Sequence, residues 1–448
     1  MVGKTFKSFS SKPGVTISAS FFIFITIGTI LLMLPAATVD GEGTSLIDAL
    51  FTSTSALCVT GLTVHDTSLY FSRFGHIVII VLIQIGGLGI MTFYAFFTIL
   101  IAKKLLISQQ VTMKDVLNTK NRDVRKTILF IILFTFVLET IGAAVLAFHW
   151  SHETFDDYIF ISVFHSISAF CNAGFSLFSN SLIGYSNDLV VNVTIGLLVV
   201  TGGLGFIVLS NLFDFFSFSP KTVKRRRVNL HTKIVLTMTL ILIIVGALLY
   251  CIFEYNNSLD LFSIRDKISV SFFQSITTRT AGFTMVDIDS LTPSTFLCFI
   301  FLMFIGGASG SAAGGIKVGT FFLILAVVYN MFRGRNDVTI FDRTIHRRTV
   351  QKAVSIATLS LLAILLFCLI LLYTEDAPFH AVIFEAFSAF GTVGLSTGLS
   401  NDLTVIGKFI VSVLMFIGRI GPFTLALVIG NEITERKIRF PEENVFVG

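Results

Sequence analysis

A short glycine segment that occurs four times at nearly constant spacing restricts this chain more than any other feature. The four copies read CVTGLTV at 58–64, CNAGFSL at 171–177, RTAGFTM at 279–285 and GTVGLST at 391–397. Their shared glycines are Gly61, Gly174, Gly282 and Gly394, separated by 113, 108 and 112 residues. Ten residues before each stands a Phe (Phe51, Phe164, Phe272, Phe384), and two residues after each stands a hydroxyl (Thr63, Ser176, Thr284, Ser396). Several columns matching four times at one period mark duplication, so the chain should fold as four related units.

Each segment has the same surroundings: a long apolar run, a shorter stretch rich in Phe, Ser and Ala, the glycine, and a second long run. The unit therefore reads as helix, short helix, loop, helix. First helices are expected near 15–36, 127–148, 232–253 and 352–373, and second helices near 77–100, 192–213, 296–330 and 409–430. About 20 apolar residues cross a bilayer, so these make eight spans. The short helices, near 45–57, 159–170, 267–278 and 380–390, extend only about 16–20 Å against a hydrocarbon core of about 30 Å and should dip in and stop. Composition agrees: 54% of residues are hydrophobic and 13% charged, about half the charged fraction of a soluble domain. The first run follows Lys4, Lys7 and Lys12, but it is too long for a secretory signal and should be retained. Cys58, Cys171, Cys251, Cys298 and Cys368 are odd in number and lie in or beside apolar runs, offering neither a disulfide framework nor a CxxC site.

Lys and Arg set the orientation. Seven fall at 103–126, five at 221–227, and Arg333, Arg335, Arg343, Arg347 and Arg348 lie between the third and fourth units. The loops within units are acidic instead, with Asp40, Glu42 and Asp48, then Glu153, Asp156 and Asp157, then Asp287 and Asp289, then Glu375 and Asp376. The linkers are expected in the cytoplasm, with both termini, and the acidic loops outside. A positive-inside bias accounts for the basic linkers more simply than nucleic acid does. The division that follows is an N-terminal segment 1–14, repeat 1 at 15–104, a linker 105–126, repeat 2 at 127–216, a linker 217–231, repeat 3 at 232–332, a linker 333–348, repeat 4 at 349–430 and a tail 431–448. All four units share one orientation. The fold class is thus an all-α polytopic membrane protein of four parallel repeats around a pseudo-fourfold pore.

A cation that sheds water needs oxygen ligands, and irregular backbone at membrane depth is tolerated only where it lines a cavity or is buried in protein. Glycine lets carbonyls turn toward an axis that a side chain would obstruct. The ligands would come from Val59 and Thr60 before Gly61, Asn172 and Ala173 before Gly174, Thr280 and Ala281 before Gly282, and Thr392 and Val393 before Gly394.

These motifs, TGL, AGF, RTAGF and GTVGL, together with IGRIGP at 417–422, resemble the Trk/Ktr/HKT superfamily of cation transporters over nearly the whole chain. The nearest likeness is to bacterial Ktr membrane subunits. The resemblance implies potassium uptake through a filter with one loop from each unit. Glycine at the first filter position, here Gly61, implies potassium preference, where serine is associated with sodium. It also implies a plasma-membrane homodimer that docks a separate cytosolic ring of nucleotide-binding regulatory subunits. Sodium stays open as an activator or coupled ion. The chain has no GxxxxGK[ST] loop, and no GxGxxG following a strand, to hold a nucleotide itself.

Each second helix carries a glycine cluster: GGLG at 86–89, GGLG at 202–205, GGASGSAAGG at 306–315, and GRIG at 418–421. The third contains only Gly306, Gly307, Ala308, Ser309, Gly310, Ser311, Ala312, Ala313, Gly314 and Gly315. Glycine costs about 1 kcal/mol per residue in a helix relative to alanine, so a loop within the membrane is expected there. The resemblance assigns it as a gate. Arg419 stands where the first two clusters have Gly87 and Gly203 and is expected to face the pore, the alternative being a salt bridge to Glu139. Arg279 should brace the filter by pairing with an acidic neighbour, and Lys317 could reach the cytoplasm. Two rival classes are a sodium-coupled solute carrier, which parallel repeats disfavour, and an intramembrane serine protease. The latter rests on GASG at 307–310 with Ser309, and would need a base from His149, His165, His231 or His380.

Overall fold

The computed structural model describes residues 13–89, 124–153, 157–216, 228–335 and 337–421. The linkers at 105–123 and 217–227, the tail 431–448, residues 1–12 and the second-helix ends at 90–100 and 422–430 lie outside the described residues.

The apolar runs form helices where the sequence pattern puts them. The first helices are α1 (Pro13–Leu32), α4 (Val124–Trp150), α8 (Leu230–Glu254) and α12 (Arg347–Thr374). The short helices are α2 (Leu46–Cys58), α5 (Tyr158–Phe170), α9 (Ile264–Thr277) and α13 (Phe379–Gly391). The second helices begin as α3 (Arg73–Leu88), α6 (Leu189–Leu204), α10 (Pro293–Phe304) and α14 (Val405–Ile420). After breaks, α7 (Phe206–Phe216) follows α6, and α11 (Val318–Phe332) follows α10. Ser and Asp caps start several of them; the Ser45 and Ser263 hydroxyls accept from the N–H groups of Asp48 and Asp266. Among the described residues, α4, α8 and α12 are long and apolar enough to cross a membrane, and α6 with α7 would make one span bent by 97°.

That bend differs from the continuous helix expected at 192–213. Its cause is Gly205, whose φ of +84° ends α6. Gly89 and Gly421 have the same conformation at φ +80° and +89° and end α3 and α14. The last glycine of these clusters is thus a helix stop, which L-residues seldom provide.

Apolar burial gains little inside lipid, so helices associate there where small residues let backbones approach and hydroxyls bridge them. Gly28, Gly142 and Gly246 on the first helices leave the room that Ser53, Ser166 and Ser275 occupy. Those hydroxyls donate to Ile25, Glu139 and Ile243 carbonyls at 2.9, 2.7 and 2.8 Å, each acceptor lying three residues before the glycine. The short helix is thereby pinned to its own first helix in units 1 to 3.

Between units, each second helix packs on the short helix of the next: α3 on α5, α6 on α9, α10 on α13, and α14 on α2. The last contact returns to the start of the chain and closes the succession. Across that seam the Lys408 ammonium donates to Asp48 at 2.7 Å, both side chains largely buried.

One column of the repeat changes register. Phe51, Phe164 and Phe384 are fully buried, but Phe272 is 42% exposed and Phe273 takes the buried place at 3%. The pinning serine agrees: Ser53 and Ser166 stand eight residues before their glycines and Ser275 seven. The inner part of the third unit, from that Phe to its glycine, is therefore one residue shorter. Removing a buried ring forfeits its packing contacts, so Phe273→Ala should lower the thermal unfolding midpoint in detergent by several degrees and Phe272→Ala hardly at all. Equal effects, or the reverse order, would return the alignment to Phe272.

Candidate functional site

After each short helix stands a residue with left-handed backbone two positions before the glycine: Val59 (φ +59°), Asn172 (+59°), Thr280 (+85°) and Thr392 (+51°). The next N–H then turns back to the helix. Thr60, Ala173 and Val393 donate to the carbonyls five residues earlier at 2.8, 2.7 and 2.9 Å, and Ala281 to Thr277, four earlier, at 2.9 Å. Three of the four left-handed residues are β-branched, a conformation costing on the order of 1–3 kcal/mol each and found mostly where function fixes the backbone.

The glycines follow at φ +92° (Gly61), +71° (Gly174), +77° (Gly282) and +91° (Gly394). An ideal Cβ on Gly61 would lie 2.4 Å from the Ala173 carbonyl oxygen, on Gly174 2.8 Å from that of Ala281, on Gly282 2.5 Å from that of Val393, and on Gly394 2.2 Å from that of Thr60. Every one of these is closer than a real Cβ contact. The four carbonyls just before the glycines and the four glycines therefore form one closed ring, each unit against the next. The left-handed residues lie on the second-helix side of that ring: Val59 is against Gly86, Asn172 against Gly202, and Thr392 against Gly314. The Asn172 amide also bonds Thr280 Oγ1 at 3.3 Å, across two units.

Above the ring opens a vestibule of about 260 Å³ lined by all four glycines and by Thr63, Ser176, Thr284 and Ser396. Asp66 and Asp287 stand at its wall. Burial raises the Asp66 pKa, but hydrogen bonds from the Ser68 and Ser179 hydroxyls and from the Ser68 and Leu69 N–H groups outweigh it and hold the carboxyl below its ordinary range. Asp66 is therefore ionised at neutral pH, which favours cations at the mouth.

On the other side, 306–315 is a loop between α10 and α11, drawn together by Gly306 donating to Ile316 at 2.9 Å and Val318 to Gly307 at 3.0 Å. It fills the break between α6 and α7. Ala308 donates to Gly203 at 2.9 Å, Ala312 to Gly202 at 3.4 Å, and Phe206 donates to Gly310 at 3.1 Å. Backbone groups freed by the broken helix are satisfied by the loop, as a dry interior requires.

Three cations hold this arrangement, none of them through a carboxylate. The Arg419 guanidinium donates to the Ala312 carbonyl of the loop and to the Gly86 carbonyl of unit 1. It does not reach Glu139, which instead accepts from the Gln84 amide at 3.3 Å and lies 3.9 Å from Cys171 Sγ. Among the described residues Arg279 finds no acidic neighbour; it donates to the Thr239 and Gly306 carbonyls at 3.5 and 3.4 Å and so ties the third glycine segment to the loop. Lys317 donates to the Ala313 and Gly314 carbonyls of the loop at 2.6 and 3.4 Å. Repeat alignment alone could not find these carbonyl partners, because a backbone acceptor has no residue signature. Ser309 and Gly310 are exposed on the loop. Among the described residues no histidine bonds Ser309: His165 is engaged with Ser176 and Ile161, and His149 with Asp188.

Comparison with known proteins converges on one group. Residues 5–437 match TrkH, described as a cation transport protein. The chain is 41% identical to the Ktr system potassium uptake protein B of Bacillus subtilis, over 99% of both chains. It is 36% identical to the potassium/sodium uptake protein NtpJ of Enterococcus hirae, over 98% of this chain and 97% of that one. The crystal structure of the potassium transporter TrkH from Vibrio parahaemolyticus superposes with a TM-score of 0.71 at 20% identity, covering 92% of this chain and 85% of that one.

Because Arg419 joins the loop to unit 1, Arg419→Ala should loosen 306–315 without disturbing the ring above. A spin label at position 309, in a background lacking the native cysteines, should become more mobile in the variant. Unchanged mobility would mean that the loop is held by its α6 contacts alone.

Proposed function

The chain belongs to the TrkH family of cation transport proteins, and from that premise we propose that it takes potassium into the cell across the plasma membrane. On this reading eight spans surround one axis as four parallel units, with both termini in the cytoplasm. The backbone oxygens of Val59 and Thr60, Asn172 and Ala173, Thr280 and Ala281, and Thr392 and Val393 replace the ion's water beside the four glycines. The loop 306–315 obstructs the path below, with Arg419 beside it as a fixed positive charge opposing cations. The protein works as a homodimer, and a cytosolic ring of nucleotide-binding subunits acts on the loop. Sodium acts as activator or coupled ion; a relative named for potassium and sodium uptake keeps that role in view.

The observation that carries the reading is the closed ring of carbonyls against glycines, open above to a cavity with acidic walls. Backbone oxygens from four sides are what a dehydrated monovalent cation requires, and irregular backbone at that depth has no other evident use. Isotope uptake by purified protein in liposomes tests it. Potassium and rubidium should enter well ahead of sodium, and entry of none of them, or of sodium equally, would sink the proposal.

Gly61 gives a sharper version. Its φ of +92° and the Ala173 oxygen leave no place for a side chain. Gly61→Ser should displace one quarter of the ring and lower the potassium-to-sodium affinity ratio by roughly tenfold, equivalent to about 1.4 kcal/mol. An unchanged ratio in a folded variant would remove Gly61 from the ion path.

The loop yields a second test. Shortening 306–315 while retaining α10 and α11 should raise potassium flux and abolish its dependence on the cytosolic partner, with selectivity kept. Lower flux with regulation intact would make the loop a packing element that fills the α6–α7 break.

A further inference from the structure

Behind the ring, the short helices reach forward to the hydroxyl that follows each glycine, and the four units do so unequally. In unit 2, His165 Nε2 lies 3.0 Å from Ser176 Oγ. In unit 3 the Gln274 amide donates to Thr284 Oγ1 at 3.4 Å. In unit 4, Ser396 Oγ donates to Glu385 Oε2 at 2.9 Å. With the one-residue shortening of the third unit, these three occupy the same place, and Thr52 occupies it in unit 1. Each hydroxyl also accepts a backbone N–H two residues on, from Phe178 at 3.0 Å, Val286 at 3.3 Å and Gly398 at 3.0 Å. Short helix, hydroxyl and post-filter turn are thus one clamp.

His165 also accepts from the Leu177 N–H at 3.4 Å, and the clamp of unit 4 reaches furthest along the chain. Glu385 is fully buried, and its second oxygen accepts from Ser400, so one carboxyl ties the turn at two points. No Lys or Arg pairs with it among the described residues. Unit 1 has no such bond between Thr52 and Thr63; its segment is tied to the short helix through Ser55, whose carbonyl accepts from Thr60 at 2.8 Å and whose hydroxyl accepts from Gly61 at 3.1 Å. The piece of unit 4 that Glu385 holds contains Gly394, and Gly394 is the residue packed against the Thr60 carbonyl. Unit 4's clamped segment therefore bounds the carbonyl of the quarter whose turn has no hydroxyl clamp.

We propose that Glu385 is a specificity-determining positioning residue: by fixing Ser396 and Ser400 it seats Gly394 against Thr60 and so sets the ring's aperture at the quarter that lacks the hydroxyl clamp. The inference rests on the potassium-uptake reading and deepens it. A buried carboxyl with both oxygens occupied by hydroxyls is costly to place in lipid-embedded protein and usually marks function. A merely structural anchor would be served as well by an apolar side chain of the same volume.

The test compares wild type, Glu385→Leu, Glu385→Gln and Ser396→Ala by potassium and sodium uptake in liposomes, with thermal unfolding of each. Glu385→Leu and Ser396→Ala should each lower the potassium-to-sodium ratio by about tenfold, equivalent to about 1.4 kcal/mol. Glu385→Gln, which still accepts through one oxygen, should retain most of the ratio. A wild-type ratio in Ser396→Ala, or in a folded Glu385→Leu, overturns the inference, as does a loss of stability and total flux at constant ratio. Should Glu385→Leu not fold, Ser396→Ala decides, since that hydroxyl lies at the vestibule and leaves the helix intact. Wild-type protein that does not discriminate at all counts against the uptake reading instead, and that result is read before any variant.

Discussion

The contact on which everything else depends is a carbonyl of one unit lying where the Cβ of the next unit's residue would be. It occurs four times, from Gly61 to Ala173, Gly174 to Ala281, Gly282 to Val393, and Gly394 to Thr60. Because it is cyclic, no unit can shift alone. The strain at Val59, Thr280 and Thr392 follows from it, since the chain must reverse sharply to bring the carbonyl forward and return the following N–H to the helix end. Packing supports the strain: each short helix is wedged between its own first helix and the previous unit's second helix. The seam between units 4 and 1, which no linker spans, has the Lys408–Asp48 pair and the edge contact of Phe21 with Phe416.

A second constraint is that broken helices leave backbone groups that lipid cannot satisfy. The α6–α7 break frees the Gly202 and Gly203 carbonyls and the Phe206 N–H, and the loop from unit 3 takes all three. In the unit 1 cluster the Gly86 carbonyl accepts from the Gly89 N–H at 3.2 Å and also from Arg419 of unit 4. The proposed gate is thus made of the groups that close the breaks. Moving it aside must hand those groups to water, so displacement of the loop and wetting of the path below the ring are one event. A few hydrogen bonds of about 1 kcal/mol net each are a modest barrier for the proposed cytosolic partner to shift.

Much of this was legible from the residues. The period located the four first helices and the four short ones to within a few residues, because apolar length and the glycine column are both written in residue type. The register of unit 3 was not: Phe272 and Phe273 are identical letters, and only burial tells which faces the protein. The recurring helix stops were missed because GGLG at 202–205 contains Leu204 and reads as tolerable in an apolar helix, whereas ten Gly, Ala and Ser in succession do not. The partner of Arg279 was misjudged, and those of Arg419 and Lys317 went unread, because a backbone acceptor has no residue signature. A cation in an apolar run suggests a carboxylate partner, but here backbone carbonyls freed at loops and helix breaks were nearer and already in need of donors.

Near-fourfold backbone with unequal side chains is a consequence of having all four units in one chain. Four identical subunits would need the same residue behind every filter segment, but duplication lets Thr52, His165, Gln274 and Glu385 diverge while the carbonyl ring stays intact. The same freedom placed the long Gly, Ala and Ser loop in unit 3 and the arginine in unit 4, so that, on the proposed reading, one obstruction and one charge meet beneath a ring that needs four equal parts. Four copies of the loop could not share the break between α6 and α7, and four arginines would crowd like charges around one narrow path. Selection wants symmetry at the level of carbonyls, and closure wants a single asymmetric piece. Covalent linkage of the units is what allows both in the same protein.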